Sequence, residues 1–219
     1  MWCIAEITPQ YRERMYRLLD LYEEQYDSSR PVVCIDEKSK QLIEDIRQPI
    51  PMKPGSAAKH DYEYKRNGTR NIFVAIEPKG GKRTITVTKT RKKGDFANFV
   101  RGLVQNEYKQ ATEIRIVLDN LNTHFEKSFY ETFSKKQTEK ILNRITFCYT
   151  PKHASWLNMA EIEINIMERQ CLNRKIGNEE FLKKELKAWA DKRNKAGKKI
   201  KWTFTRQDAD HKLSKHYVA

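Results

Sequence analysis

The chain has 219 residues and a formal net charge of +14, from 43 Lys and Arg against 29 Asp and Glu, with a sequence pI near 9.6. At 38% hydrophobic it can build one large domain, or a domain with an insertion, and its cation excess favours a nucleic-acid partner through phosphate neutralisation and counterion release. No apolar run approaches the ~20 residues of a membrane span. The N-terminus lacks the basic start and long apolar stretch of a signal peptide. The four cysteines (Cys3, Cys34, Cys148, Cys171) are far apart, with no Cys-x-x-Cys pair, so free thiols are expected rather than disulfides or zinc ligands. These features fit a reducing cytoplasm.

In chain order, residues 8–26 read as a helix: Tyr11, Met15, Leu18, Leu19 and Tyr22 recur at helical spacing, behind Thr8 as N-cap and Pro9 in the first turn. Val32–Asp36 is an apolar, β-branched run that ends in Asp and predicts a buried strand. From Lys38 to Arg70 the pattern is irregular, with Pro49, Pro51, Pro54 and Gly55 followed by a basic and aromatic run at His60–Gly68. Asn71–Glu77 and Arg83–Lys89 predict strands joined at Pro78–Lys82. Asp95–Tyr108 predicts an amphipathic helix, Glu113–Asp119 a strand, Ser128–Lys140 a helix and Ile145–Tyr149 a strand. Leu157–Leu172 and Asn178–Ala196 read as helices. A hairpin feeding into alternating helices and strands predicts an α/β fold, a mixed five-stranded sheet with helices on both faces.

Three carboxylates stand out. Asp36 and Asp119 each close a β-branched run, where a desolvated charge needs a partner or a metal. In Leu157–Leu172, Asn158, Glu161, Asn165 and Glu168 form one polar stripe on a largely apolar helix, with Glu163 about 200° away from Glu161. Taken singly, Asp36 and Asp119 read more readily as turn or cap residues. Brought together, Asp36, Asp119 and Glu161 would make a hard, oxygen-rich site suited to Mg²⁺ or Mn²⁺. Asn120, His124 and Asn158 are accessory candidates.

The runs Arg30–Lys38, Tyr62–Thr69, Leu118–His124 and Tyr149–Glu163 resemble the catalytic domain of DDE transposases, most closely the bacterial insertion-sequence branch of the mariner-like superfamily. The resemblance covers nearly the whole chain. It implies an RNase H-like fold, with Asp36, Asp119 and Glu161 as the catalytic and metal-binding triad for two Mg²⁺ (or Mn²⁺) ions. It also implies cut-and-paste DNA cleavage and strand transfer into TA targets. Family members carry paired helix-turn-helix modules before this domain. Here Met1 stands almost at the domain's edge, so the resemblance implies a catalytic half whose end recognition resides elsewhere, with a separate helix-turn-helix polypeptide as a candidate partner.

The expected organisation is a linker helix over 1–30, the catalytic domain over 31–200 and a tail over 201–219. An inserted arm at about 45–68 is expected to be mobile alone and to order against a second subunit of a DNA-bound homodimer. Candidate DNA contacts are Lys59, Lys65, Arg66, Arg70, Arg91, Lys92, Lys93, Lys152 and His153. Two alternatives stay open: a stand-alone RNase H-like nuclease, and an inactive DNA-binding remnant.

Overall fold

The computed structural model describes residues 6–48, 50–59 and 61–218, so Cys3 and Pro49 lie outside the described residues. Helix α1 (Pro9–Glu23) starts where the sequence places it, with Thr8 Oγ1 accepting from the Tyr11 amide at 3.2 Å. Strands β1 (Val32–Asp45), β2 (Tyr64–Glu77) and β3 (Lys82–Thr88) follow. Then come α2 (Lys93–Gly102), β4 (Ile114–Leu118), α3 (Lys127–Tyr130), α4 (Lys135–Leu142) and β5 (Ile145–Tyr149). Helices α5 (Met159–Met167), α6 (Glu179–Lys195) and α7 (Arg206–Leu213) complete the chain. The sheet runs β3-β2-β1-β4-β5. β1, β2 and β3 pair antiparallel, while β4 and β5 lie parallel to β1 and to each other. The predicted mixed five-stranded sheet is the one observed. Among the described residues, no helix is long and apolar enough to cross a membrane.

Strict alternation divides the sheet's side chains between two cores. Val33, Ile35, Phe73, Ala75, Ile116 and Leu118 face α2, α3 and α4, packing on Phe96, Val100, Phe129 and Ile141. Cys34, Ile76 and Val117 face the other way, onto Leu18 and Leu19 of α1, Ala160 of α5 and Ala209 of α7. Further along that second face, Leu42, Ile72 and Val74 meet Ile164 and Met167 of α5 and Leu182 and Leu186 of α6. The segments before residue 31 and after 200 therefore contribute to the same core as the sheet.

Five predicted elements need correction. β1 does not end at Asp36 but continues nine residues further, paired with β2 from Cys34↔Ile76 out to Asp45↔Tyr64. The ladder is made by backbone groups, and past Asp36 most of its side chains are only half-buried, so no apolar pattern marks it. β2 accordingly begins at Tyr64 rather than Asn71, leaving 46–63 as the segment beyond the ladder. The helix predicted from Asp95 starts at Lys93 and turns into a π-helix at Leu103–Glu107. The helix predicted over Ser128–Lys140 is two, because Ser134 caps a new one through the Gln137 amide. Helix α5 likewise passes into a π-helix, Glu168–Leu172.

The base of the arm is tied down. The Ile43 amide donates to Ile176 O at 2.8 Å, Asn67 Nδ2 donates to Gly177 O at 2.8 Å, and Lys175 pairs with Asp45. Beyond it, the bridges Ile50↔Lys59 and Lys53↔Ser56 continue the hairpin, with Ile46, Ile50, Met52 and Tyr62 exposed.

Helix α5 is held by a buried charge. Glu163 and Arg83 are both fully buried and ion-paired, and Arg193 Nε of α6 lies 2.8 Å from Glu163 Oε1. Removing one partner of such a group leaves uncompensated buried charge, at about 3–5 kcal/mol. Glu163→Gln is therefore expected to lower the urea midpoint strongly, whereas Glu161→Gln leaves it near wild type. Equal midpoints for the two variants would contradict this account.

Candidate active site

β1 and β4 lie side by side in parallel, with Cys34 opposite Val117. Two residues further along that register come Asp36 on β1 and Asp119 just beyond β4. The period of two turns Asp36, like Cys34, toward the face covered by α5. Glu161 enters from that face, in the first turn of α5. Asn158 sets the position of this helix start: its Nδ2 donates to Ile35 O at 2.8 Å and its Oδ1 accepts from the Ala160 amide at 3.1 Å. Asn158 is thus both the cap of α5 and its tie to β1, one residue before Asp36. The polar stripe predicted on this helix does not serve one purpose, because Asn158 is buried at this tie.

Electrostatics mark Asp36 as the centre. Burial pushes its carboxyl up to about 7, and the charges of Glu37, Asp119 and Glu161 add to the rise, against the Glu37 amide that donates to Oδ1 at 2.8 Å. Near neutrality Asp36 therefore retains much of its proton. Among the described residues, no three His, Cys, Asp or Glu side chains are grouped closely enough to hold a metal ion. Carboxylates of the kind that act on Asp36 suit hard cations, which also take water and substrate oxygens as ligands.

Asp119 is tuned in the opposite direction. Its half-burial pushes the carboxyl up, but hydrogen bonds and charge from His124 and the Leu121 amide outweigh burial and hold it below the usual range. His124 is fully buried and lies between two acids, with Nδ1 2.7 Å from Asp119 Oδ1 and Nε2 2.8 Å from Glu37 Oε1. Burial alone would lower the imidazole, yet the two carboxylates raise it to about 9, so both nitrogens donate at neutral pH. The ring packs against Phe96, with centroids 4.7 Å apart, and Tyr149 Oη donates to its carbonyl at 2.9 Å.

Sequence reasoning missed Glu37. Its neighbour Asp36 was conspicuous, and the alternation that sends Asp36 toward α5 sends Glu37 toward Phe96. An acid so placed requires a buried cation, which is His124. Arg14 was missed as well: its Nη1 donates to Asn120 Oδ1 at 3.2 Å, while Asn120 Nδ2 donates to Thr150 O at 2.6 Å.

The candidate DNA contacts are scattered. Arg70 pairs with Glu179, Arg66 stacks over Tyr64, and Lys93 pairs with Glu131 at 2.9 Å. Arg91, Lys92 and Lys93 line an open cleft with Thr123, beside the loop that carries Asp119. Lys152 and His153 line another with Arg14. Lys59 and Lys65 are exposed on the arm and its base.

A family model described as DDE superfamily endonuclease matches residues 31–183. The chain belongs to this DDE endonuclease family. No curated protein matches it significantly in sequence. Among solved structures, it is similar to the Mos1 mariner paired-end complex with Mn, at 18% identity and a TM-score of 0.55, covering 90% of this chain and 61% of that one. It is also similar to the Mos1 transposase paired-end complex with left transposon end, at 17% identity and a TM-score of 0.58, covering 90% and 60%. A third is a pre-cleavage Mos1 transpososome, at 17% identity and a TM-score of 0.56, covering 99% and 65%. The chain spans about three-fifths of the length of the first of these. At such identities the likeness establishes the fold, which is RNase H-like as the resemblance implied.

For this DDE domain the pH dependence follows with a definite sign. A carboxyl raised from its ordinary 3.8 to about 7 takes up a proton on folding. Its contribution favours the fold at low pH and is lost as pH rises through about 7. His124, raised from 6.5 to about 9, contributes below 6.5 and loses that contribution as pH rises through about 9. Without divalent cation at pH 8, Asp36→Asn should melt higher than wild type, by about 2–4 °C per kcal/mol regained. Adding Mn²⁺ should raise the wild-type midpoint and leave the variant's unchanged. A variant that melts lower than wild type at pH 8 would refute the repulsion.

Proposed function

We propose that this chain is the catalytic domain of a DDE transposase of the bacterial insertion-sequence branch, cutting transposon ends and joining them to TA-containing target DNA. The observation that supports this reading most is the Asp36 carboxyl at the strand end, raised to about 7 by burial and by the charges of Glu37, Asp119 and Glu161. In this reading the three carboxylates hold two Mg²⁺ or Mn²⁺ ions. Such ions, when bound, activate the attacking hydroxyl and stabilise the leaving oxygen.

The chain's own residues supply the rest. Asp36, whose carboxyl feels the charges of both other acids, would hold the ions together with them. His124 fixes the Asp119 carboxylate through one oxygen and leaves the other for a ligand. Glu161 is presented on a helix start whose rotation is fixed by Asn158 and Glu163. The cationic clefts on either side would hold DNA phosphates, contacts that position a strand rather than read it. The arm's exposed Ile46, Ile50, Met52 and Tyr62 would pack on a second copy, making a homodimer on DNA. Sequence-specific end recognition would come from a helix-turn-helix module, on this protein or a separate polypeptide.

Pre-cut ends carrying a 3′-hydroxyl, mixed with a TA-containing duplex and Mg²⁺ or Mn²⁺, test this directly. Joined product is expected from wild type. Asp36→Asn, Asp119→Asn and Glu161→Gln should each reduce it by at least a hundredfold while keeping cooperative unfolding. Nicking without joining would make the chain a nuclease, and binding without either would make it a remnant. Separately, the +14 charge predicts that duplex binding weakens steeply between low and moderate salt, with little preference between transposon-end and scrambled sequences. Strong preference persisting at high salt would mean that this chain reads sequence itself.

A further inference from the structure

The loop between β5 and α5 contains an unexplained strain. His153 has φ 61°, the one non-glycine residue at positive φ among the described residues. An L-residue with a Cβ is disfavoured there, and glycine would make the same turn without penalty. The turn itself has an evident purpose: the Ala154 amide returns to Pro151 O at 3.2 Å, burying Ala154 and starting the 3₁₀ turn Ser155–Leu157. Among the described residues, the His153 imidazole makes no hydrogen bond. Instead it lines an open cleft of about 340 Å³ together with Tyr11, Gln10, Arg14, Lys152 and a single acid, Glu6.

Three properties of this cleft point to one kind of ligand. Its size is within the range of small-ligand sites. It combines two rings, Tyr11 and His153, with two cations, Arg14 and Lys152. Tyr11 is half-buried against the core under α1 and so is a fixed surface rather than a swinging one. Aromatic faces beside cations form a sequence-tolerant platform for an unpaired nucleobase and its phosphate. The cleft also joins the carboxylate site physically, because Arg14 donates to Asn120, the residue after Asp119. We propose that this cleft receives one unpaired base of the DNA strand next to the scissile phosphate, stacked on His153 and Tyr11, with Arg14 and Lys152 on the adjoining phosphates. The proposal rests on the reading of the carboxylate site as a DNA phosphoryl-transfer centre, and adds how the strand is held open beside it.

The test uses 5-iodouracil, which crosslinks under long-wave ultraviolet light to aromatic side chains stacked on it. A series of pre-cut duplexes, each with 5-iodouracil at one position near the 3′-hydroxyl end, is bound to the full chain in EDTA. Binding is followed by anisotropy and crosslinks are mapped by mass spectrometry. Crosslinks to His153 or Tyr11 are expected at one or two adjacent positions only. His153→Gly keeps the turn, so it should melt no lower than wild type while losing the His153 crosslink and at least half of the total yield. His153→Phe should retain crosslinking, and Arg14→Ala should reduce the yield at the same positions. No crosslink to these residues at any position, or duplexes that do not bind, would overturn the proposal. So would a His153→Gly variant that crosslinks elsewhere in the cleft at full yield. Weaker binding by Arg14→Ala without any aromatic crosslink would show a phosphate contact only, and would overturn it too. Joining of the same pre-cut ends to a TA-containing duplex in Mn²⁺ is scored separately. Crosslinking without joining would sink the phosphoryl-transfer reading and leave the base cleft standing, whereas joining without crosslinking would do the reverse.

Discussion

The arrangement depends first on the buried charge of Glu163. An isolated carboxylate inside the protein would be far too costly, and this one is matched by Arg83 from β3 and Arg193 from α6. The match has directional content that an apolar contact would lack. Two guanidinium groups, from a strand and a helix on the same side of α5, permit one rotation of that helix about its axis. Arg83 also donates to Gly81 O and Lys198 O, so the same group gathers the β2–β3 turn and the chain after α6. With Glu163 fixed toward α6, Glu161 must point roughly the opposite way around the helix, toward the end of β1. The buried ion group therefore sets where the third carboxylate can be, from a position that never touches the site.

The second constraint is the tie at the helix start. Asn158 joins α5 to the Ile35 carbonyl, adjacent in sequence to Asp36. Rotation set by Glu163 and translation set by Asn158 together place Glu161 relative to Asp36 without any attraction between the two acids. That is a physical necessity, since the two repel. A cluster of like charges is held together by bonds made next to it and never within it, the usual relation between a functional site and its supporting fold.

The sequence shows some of this and hides the rest for identifiable reasons. Asp119 is legible because β4 is buried on both faces and its apolar run stops there. Glu161 is legible because a polar residue interrupts a nearly all-apolar helix. Glu163 interrupts it equally, and its separation from Glu161 follows from helical geometry, but Arg83 lies eighty residues earlier in the chain and no local pattern links them. Asp36 is legible as an acid in an apolar run, yet its strand is not, because beyond Asp36 the ladder continues through Glu37, Lys38, Ser39 and Lys40. Only the Glu37 side chain is buried, Lys38 and Lys40 are half-buried and Ser39 is exposed, and the backbone bonds that define the strand carry no side-chain signature. Glu37 is hidden by its neighbour, since one member of an Asp-Glu pair accounts for the pair until alternation sends the two to opposite faces.

That division also explains why the site's two aspartates are tuned apart. His124 lies on the Glu37 side, where its positive charge is shared between Glu37 and Asp119. Asp36, on the other side of the same strand, receives a backbone hydrogen bond from the Glu37 amide but no cation, and three nearby acids act on it. So the imidazolium keeps Asp119 ionised, while burial and repulsion leave Asp36 holding the proton. Opposite shifts in neighbouring carboxyls assign them different work. Asp119 is a ready anion with one oxygen already committed to His124. Asp36 is the acid whose proton a divalent cation would replace, and replacing it would relieve the repulsion that the surrounding fold withstands in the cation's absence.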